Sequence, residues 1–346
     1  MNSVDDLKEL FAASFGASPE EAELLDPQLG ASGRKLIRLG DGKITAIGVI
    51  YDVHEENVAF LSFSRHFRRH GLPVPRIYAE DLEKNVYLEE DLGNTTLYQF
   101  LGEKRSGDAV GSEAVEAYRK VVAVLPQFQV KAGRDLDYSV CYPRNRFDRQ
   151  SIVWDLNYFK YHFLKLIGIS FNEQSLEDDF SRLSDFLLEV DDNYFMYRDF
   201  QSRNVMLQNG EPFFLDYQGG RRGPLQYDVA SLLFDAKADL SPVLRADLLE
   251  AYLAALGDFV DVDHKVFMRH YYEYVFIRIL QALGAYGYRG LFERKELFVA
   301  SIPYALRNID WLLANVDLHV DMPTLRTVFE DIRQSGKFLS VPLQPT

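Results

Sequence analysis

Tyr194-Phe195-Met196-Tyr197-Arg198-Asp199-Phe200-Gln201-Ser202-Arg203-Asn204-Val205-Met206-Leu207, continued by Phe213-Phe214-Leu215-Asp216-Tyr217-Gln218, alternates short apolar runs with oxygen-bearing polar residues. The runs Tyr194–Tyr197, Val205–Leu207 and Phe213–Leu215 are rich in aromatic or β-branched residues and bounded by polar ones, which reads as three buried strands. Asn209-Gly210 lies between the second and third and signals a tight hairpin. Asp199, Asn204 and Asp216 then fall at strand ends or in the loop between strands, and their side-chain oxygens converge on one small space. A lone Asp in a loop is usually a turn or cap residue. Three such residues, each at a strand end, are poorly explained by turns alone.

Phosphoryl transfer needs this set. Magnesium is a hard ion that takes carboxylate, amide and phosphate oxygens. One Asp must stay free of metal, to orient and deprotonate an attacking hydroxyl, while a second Asp and an Asn hold the metal that bridges nucleotide phosphates. Asp199 suits the base; Asn204 and Asp216 suit the metal.

At these residues the chain resembles the kinase superfamily, and within it the aminoglycoside phosphotransferase and choline kinase branch. The kinase catalytic loop, His-Arg-Asp and an Asn after four further residues, is written Tyr197-Arg198-Asp199 and Asn204; the metal triplet Asp-Phe-Gly is written Asp216-Tyr217-Gln218. Pro224-Leu225-Gln226-Tyr227-Asp228-Val229-Ala230 matches the segment that follows the metal Asp in that branch. Arg198-Asp199-Phe200-Gln201-Ser202-Arg203-Asn204 with Asp216-Tyr217-Gln218 is most similar to bacterial kinases that phosphorylate the anomeric hydroxyl of N-acetylmuramate or N-acetylglucosamine. The resemblance runs from about residue 27 to about residue 315. It implies an α+β, two-lobe protein-kinase-like fold: a small N-terminal β-sheet lobe over residues 1–90 and a large, mainly helical C-terminal lobe over residues 91–346, with ATP and Mg2+ in the cleft between them.

Composition sets the outer bounds. The chain has 346 residues, enough for two lobes, and 47% hydrophobic residues, enough for a large core. Its 20 Tyr and 25 Phe point chiefly to aromatic core packing. A net charge of −14 argues against nucleic-acid and membrane-surface partners, though not against a nucleotide whose phosphates are neutralised locally. The single cysteine, Cys141, permits no intrachain disulfide and fits a cytoplasmic setting; with no His near it in sequence it reads as a bystander. The acidic N-terminus lacks a signal-peptide pattern, and no run of eighteen apolar residues is present.

Upstream of the catalytic stretch, residues 3–15 read as an amphipathic helix with Leu7, Leu10, Phe11 and Phe15 on one face and a capping start at Ser3 and Asp6. Residues 24–52 read as strands with a hairpin at Asp41-Gly42. Gly30 to Lys35 is a small-residue turn; taken alone it is a plain turn. Its place ahead of the catalytic loop in the resembled family makes it the nucleotide loop, with Ser32, Gly33, Arg34 and Lys35 at the phosphates. The following strand, Thr45–Tyr51, lacks the lysine that kinases place there. Arg34, with Lys35 behind it, is the expected replacement. Residues 54–70 read as a helix in which Glu56 either pairs with that cation or is solvated. His66 and His70 share a helix face and, without a nearby Cys or acidic residue, read as a surface pair rather than a metal site. Pro73-Val74-Pro75 forces an extended link. Short strands at 76–79 and 86–89 precede Glu89-Glu90-Asp91-Leu92-Gly93, the hinge of the resembled family, where backbone groups of Glu90 and Leu92 would meet adenine.

Helices are expected at 95–102, 111–130, 149–167, 173–190, 241–256, 262–285, 301–315 and 322–335. The loop 131–148 and the start of the next helix carry Arg134, Arg144, Arg146 and Arg149, either an anion clamp or a charged surface. Near Trp154, the resemblance suggests Asp155 and Asn157 as acceptor contacts. Arg198 is expected to brace the catalytic loop, and Arg203 or Gln218 to touch the acceptor or the transferring phosphate. Gln218 to Pro224 reads as a flexible segment, Asp228 as a cap and brace, and Tyr286 to Gly290 as a helix break lining the acceptor pocket. The expected reaction is transfer of the γ-phosphate to a small-molecule hydroxyl, foremost the anomeric hydroxyl of a cell-wall amino sugar. An aminoglycoside, choline or homoserine acceptor, or a nucleotide-binding pseudokinase acting through a protein partner, are the alternatives.

Overall fold

Five antiparallel strands, in the order β1-β2-β3-β5-β4, form the N-terminal sheet: β1 (Glu21–Leu24), β2 (Lys35–Gly40), β3 (Thr45–Ile50), β4 (Ile77–Asp81) and β5 (Val86–Glu90). The computed structural model describes residues 4–25, 33–107 and 109–338, so Ser3 and the turn residues Gly30, Ala31 and Ser32 lie outside the described residues. Helix α1 (Val4–Phe15) covers one sheet face, where Leu7 and Phe11 pack on Ile37, Leu39, Ala46, Ile50, Val86 and Leu88. That is the amphipathic face its heptad-like spacing predicts. Helix α2 (His54–Arg69) serves the remaining apolar residues of the sheet. Phe60 stacks on Tyr87 of β5 and, on its other side, on Tyr217 beside the metal-type Asp216.

The chain beyond Glu90 is mostly helical: α3 (Leu97–Glu103), the short hairpin β6 (Arg105–Ser106) and β7 (Ala109–Val110), α4 (Ser112–Pro126), α5 (Arg149–Phe159), α6 (Lys165–Ile167) and α7 (Glu173–Leu187). Then come β8 (Tyr194–Met196), β9 (Val205–Gln208), β10 (Glu211–Phe214), β11 (Arg221–Gly223), α8 (Gln226–Leu233), α9 (Pro242–Leu256), α10 (His264–Tyr286), α11 (Glu296–Val299), α12 (Ile302–Asn315) and α13 (Pro323–Gln334). One hydrophobic core runs from the sheet through α2 into this part. At its centre Phe67 makes edge-on contacts with Phe128, Phe195 and Tyr217, so much of the aromatic content is core packing.

The catalytic stretch folds as two separate two-stranded ribbons. β9 and β10 pair across Asn209 (φ 54°) and Gly210 (φ 78°), a turn with both central residues left-handed, which only such a dipeptide adopts cheaply. β8 pairs instead with β11, so Gln218–Pro224 is not the flexible segment expected. The buried backbone of β8 needs hydrogen-bond partners. The glycines next to β11 serve packing, since a Cβ at Gly220 would lie 2.4 Å from the Phe195 ring. A similar correction applies to Tyr286–Gly290. The helix does not break there but continues as a π-helical turn over Gly287–Phe292. A Cβ on Gly287 would lie 1.8 Å from the His162 carbonyl oxygen, so this glycine admits a close helix crossing. Among the described residues no helix is long and apolar enough to cross a membrane.

Candidate active site

The loop after β8 is held in an unusual backbone shape. Arg198 has φ 81° and Asp216 has φ 67°, values uncommon for residues with a Cβ. Asp228 of α8 fixes the first of these. Its carboxylate accepts the N–H of Tyr197 (2.8 Å) and of Arg198 (3.0 Å), and an amide N–H of Gln129 (3.1 Å). Burial pushes this carboxyl up to about 7 against the pull of those donors. Asp228 therefore braces the loop as expected, but it does not cap its own helix, whose N-cap is Leu225 without a side-chain bond.

Arg198 is the second brace. Its guanidinium donates to both oxygens of Asp155 (2.7 and 2.6 Å) and to the Tyr227 hydroxyl (2.6 Å). Asp155, expected at the acceptor, is instead a buried structural partner with both oxygens engaged. A buried guanidinium needs a bidentate counterion, and the facing turn of α5 supplies one.

Between these braces sits Asp199. Burial first, then the Asp216 charge, raise its carboxyl above the ordinary range, while Arg198, Arg278 and Arg221 pull it back. The net rise makes it a better proton acceptor. Asn204 donates its amide N–H groups to the Asp199 carbonyl (2.8 Å) and to Asp216 Oδ2 (3.1 Å), so its remaining donor atom for a metal is Oδ1. Gln218 donates to Asp216 Oδ1 (2.6 Å), which places it on the metal-type carboxylate. Asp216 and Asn204 thus offer only oxygen ligands on a half-exposed site, a donor set that fits magnesium.

Arg34 reaches the same carboxylate from the sheet. It pairs with Glu56 of α2 (2.8 Å) and with Asp216 (3.4 Å), and lies over the Tyr51 ring at 4.6 Å. Its buried Nε has no partner. A cation thus reaches this carboxylate from the residue just before β2, and Glu56 is its partner rather than a solvated acid. Lys35 points to solvent, and Gly33 is exposed. Below them Glu89 is buried with Oε2 unpartnered; burial, opposed by Arg34, pushes it up to about 8. At the hinge, the Glu90 N–H is bonded to the Arg76 carbonyl (2.8 Å) and the Glu90 carboxylate accepts the Arg76 N–H (3.0 Å), so that N–H is not open to a base. Leu92 is buried just beyond.

The arginines of the 131–148 loop do not converge. Arg144 pairs with Asp148 and lies over Trp154, Arg146 pairs with Asp192, Arg149 with Asp185, and Arg134 donates to the Phe259 carbonyl. Each is tied to its own partner, which is the charged-surface pattern and not a clamp. Asn157 is half-buried on α5. Arg203 lies over Tyr98 at 4.0 Å. Cys141 is half-buried and its thiol is pushed up to about 12 by burial, as suits a bystander.

A narrow cleft beside the catalytic loop brings in residues the sequence did not single out. Its lining includes Gln201, Ser231, Asp235, Arg278 and Tyr286. Arg278 is buried and donates to Ser231 (2.9 Å) and Gln281 (2.6 Å); Asp235 accepts the Ser202 hydroxyl (2.5 Å). A charge inside the apolar run Tyr274-Val275-Phe276-Ile277-Arg278-Ile279-Leu280 was the available signal. Tyr286 also lines this cleft.

Comparison with known proteins agrees with this geometry. An N-acetylmuramate/N-acetylglucosamine kinase of Pseudomonas aeruginosa is 27% identical over 239 residues, 66% of this chain and 65% of that protein. One of the same description from Neisseria meningitidis is 29% identical over 185 residues, 52% of this chain and 51% of that protein. The matches to curated relatives thus span from 44% to 65% of those proteins' length. Among solved structures, the choline kinase LicA of Streptococcus pneumoniae, in complex with AMP, superposes with a TM-score of 0.59 at 17% identity, covering 90% of this chain and 98% of that one. The fold is therefore the two-lobed, protein-kinase-like α+β fold. A model of the phosphotransferase enzyme family matches residues 30–262, and the chain belongs to that family.

Proposed function

We propose that this protein transfers the γ-phosphate of ATP to the anomeric hydroxyl of N-acetylmuramate or N-acetylglucosamine. The observation that carries the reading is the joint placement of Asp199, Asn204 and Asp216, braced by Asp228 and Arg198 and met by Arg34 from the sheet. The named activities of the Pseudomonas and Neisseria relatives support the choice of acceptor. The nucleotide lies between a sheet lobe, residues 1–90, and a helical lobe, residues 91–346, with Leu92 at its base and Arg34 at its phosphates. Asn204 Oδ1 and Asp216 would hold a magnesium ion, whose contribution is to neutralise phosphate charge. Asp199 takes the proton of the sugar hydroxyl as that oxygen bonds to the γ-phosphorus and the bond to the ADP oxygen breaks. The sugar approaches Asp199 on the side where Gln201, Asp235, Arg278 and Tyr286 line a narrow cleft. A cytoplasmic setting, where ATP is available, fits this reading.

The test is ADP release from ATP and magnesium with N-acetylmuramate, N-acetylglucosamine, simple hexoses, kanamycin, choline and homoserine. Phosphorus NMR of the product identifies the hydroxyl. Release that requires an N-acetylated sugar, yields an anomeric phosphate and falls by about a hundredfold or more in Asp199→Asn is the expected result. Release only with kanamycin, choline or homoserine overturns the sugar assignment while keeping the chemistry. No release with any acceptor, despite nucleotide binding, points to a pseudokinase.

A further inference from the structure

His66 and His70 are the motif that the reaction does not use. The sequence suggests a surface pair with no acidic neighbour, and the fold corrects both halves of that expectation. His66 is buried at 5% exposure, and Asp135, from the helical lobe, comes up beneath the two rings. Asp135 Oδ1 lies 3.0 Å from His70 Nε2 and 3.6 Å from His66 Nε2. His66 Nε2 is also 2.8 Å from the Ala132 carbonyl oxygen. The rings stand about one helical turn apart at the C-terminal end of α2, where His70 is the capping residue, and their centroids are separated by 4.6 Å.

Two separate hydrogen bonds, His66 to Ala132 and His70 to Asp135, account for each ring singly. They do not account for both rings turning the same nitrogen toward one carboxylate oxygen. A tetrahedral zinc site with bonds of about 2.0–2.1 Å sets its ligand atoms roughly 3.3 Å apart. The two imidazole–carboxylate separations, 3.0 and 3.6 Å, bracket that spacing, and the ligand atoms of all three residues lie within 4.8 Å of one another.

We propose that His66, His70 and Asp135 form a divalent transition-metal site of the zinc class that ties α2 to the helical lobe. The two ring Nε2 atoms and one Asp135 oxygen are the ligands, and the Ala132 carbonyl or a water completes the set. Binding through Nε2 needs the Nδ1–H tautomer, so the Nε2 proton of His66 moves through solvent to Nδ1 and its present bond to Ala132 is given up. Two imidazoles favour zinc over magnesium. The position matters because α2 also carries Glu56, which holds Arg34, and Ser64, which is 2.6 Å from the Tyr217 hydroxyl. A metal here clamps the helix that orients the phosphate-facing cation, and it does so from the far side of the lobe boundary.

The test uses the full chain, stripped of metal, in an Asp216→Asn background so that the proposed magnesium site does not contribute. Zinc is titrated calorimetrically and Co2+ is followed by visible absorption. One zinc per chain, a rise in Tm, a tetrahedral cobalt spectrum and no competition by magnesium are expected. His70→Gln and Asp135→Asn, both at accessible positions and checked for native circular dichroism, should each weaken zinc binding by at least about tenfold. His66 is not relied on, because a change at a buried ring disturbs the core. Zinc binding of equal strength in both variants, or none at micromolar zinc, overturns the site.

Discussion

Arg34 concentrates the residue-scale argument. Its guanidinium spans Glu56 and Asp216 with its flat face on Tyr51, a geometry that needs a fork and not a point charge. Arg34→Met is expected to lower kcat/KM for ATP by roughly tenfold to a hundredfold, the scale of a lost charge-assisted bond. Arg34→Lys should fall between, since lysine keeps the charge but cannot bridge both acids; steady-state kinetics at varied ATP separates the three proteins. Glu89 gives a stability prediction. Its folded value, about 8, lies above its ordinary 4.5 because its carboxyl is buried with one oxygen unpartnered. Its contribution to stability is therefore full below about pH 4.5 and is lost as pH rises through about 8. Glu89→Gln should remove that decline, on the order of a few kcal/mol, from urea unfolding measured between pH 5 and 9.

At the scale of elements, turns and braces decide whether the catalytic side chains meet. The β9–β10 turn sets the separation of Asn204 from Asp216, and Asn209 holds φ 54° within it. Asn209→Ala places a side chain that avoids the left-handed region there, so about 1–2 kcal/mol of stability should be lost, read as a lower urea midpoint with unchanged slope. Helix α8 acts on the loop after β8 through Asp228, whose bonds to two consecutive N–H groups hold Arg198 at positive φ. The strands, their order along the chain and the Asn-Gly turn were legible in the sequence because period, composition and turn chemistry are local. The β8–β11 pairing was not. A glycine-rich polar segment looks mobile until its glycines are seen to make room for Phe195 and Met196.

For the whole molecule, the contact between Arg34 and Asp216 crosses from sheet to helical part at the site proposed for the metal and phosphates. Magnesium and ATP together should raise Tm of the wild-type protein, by an amount that grows with ligand over Kd. Asp216→Asn should abolish the magnesium-dependent part of that rise and keep a smaller, metal-independent one, measured by thermal denaturation with ATP in EDTA or in magnesium.

The sequence by itself determined the residue types and spacing of Asp199, Asn204 and Asp216, the apolar runs that bury their strands, and a cation at Arg34 ahead of β2. These follow from local pattern and from the chemistry each group can perform. The tertiary structure alone decided who partners whom. Asp155 went to Arg198, Gln218 to Asp216, the loop arginines to scattered acids, and Arg278 and Asp235 to the cleft. It also brought Asp135, 65 residues after His70, beneath the histidine pair. A buried charge must find a counterion. Which counterion lies within reach depends on how helices far apart in sequence cross, and spacing along one chain does not encode that locally.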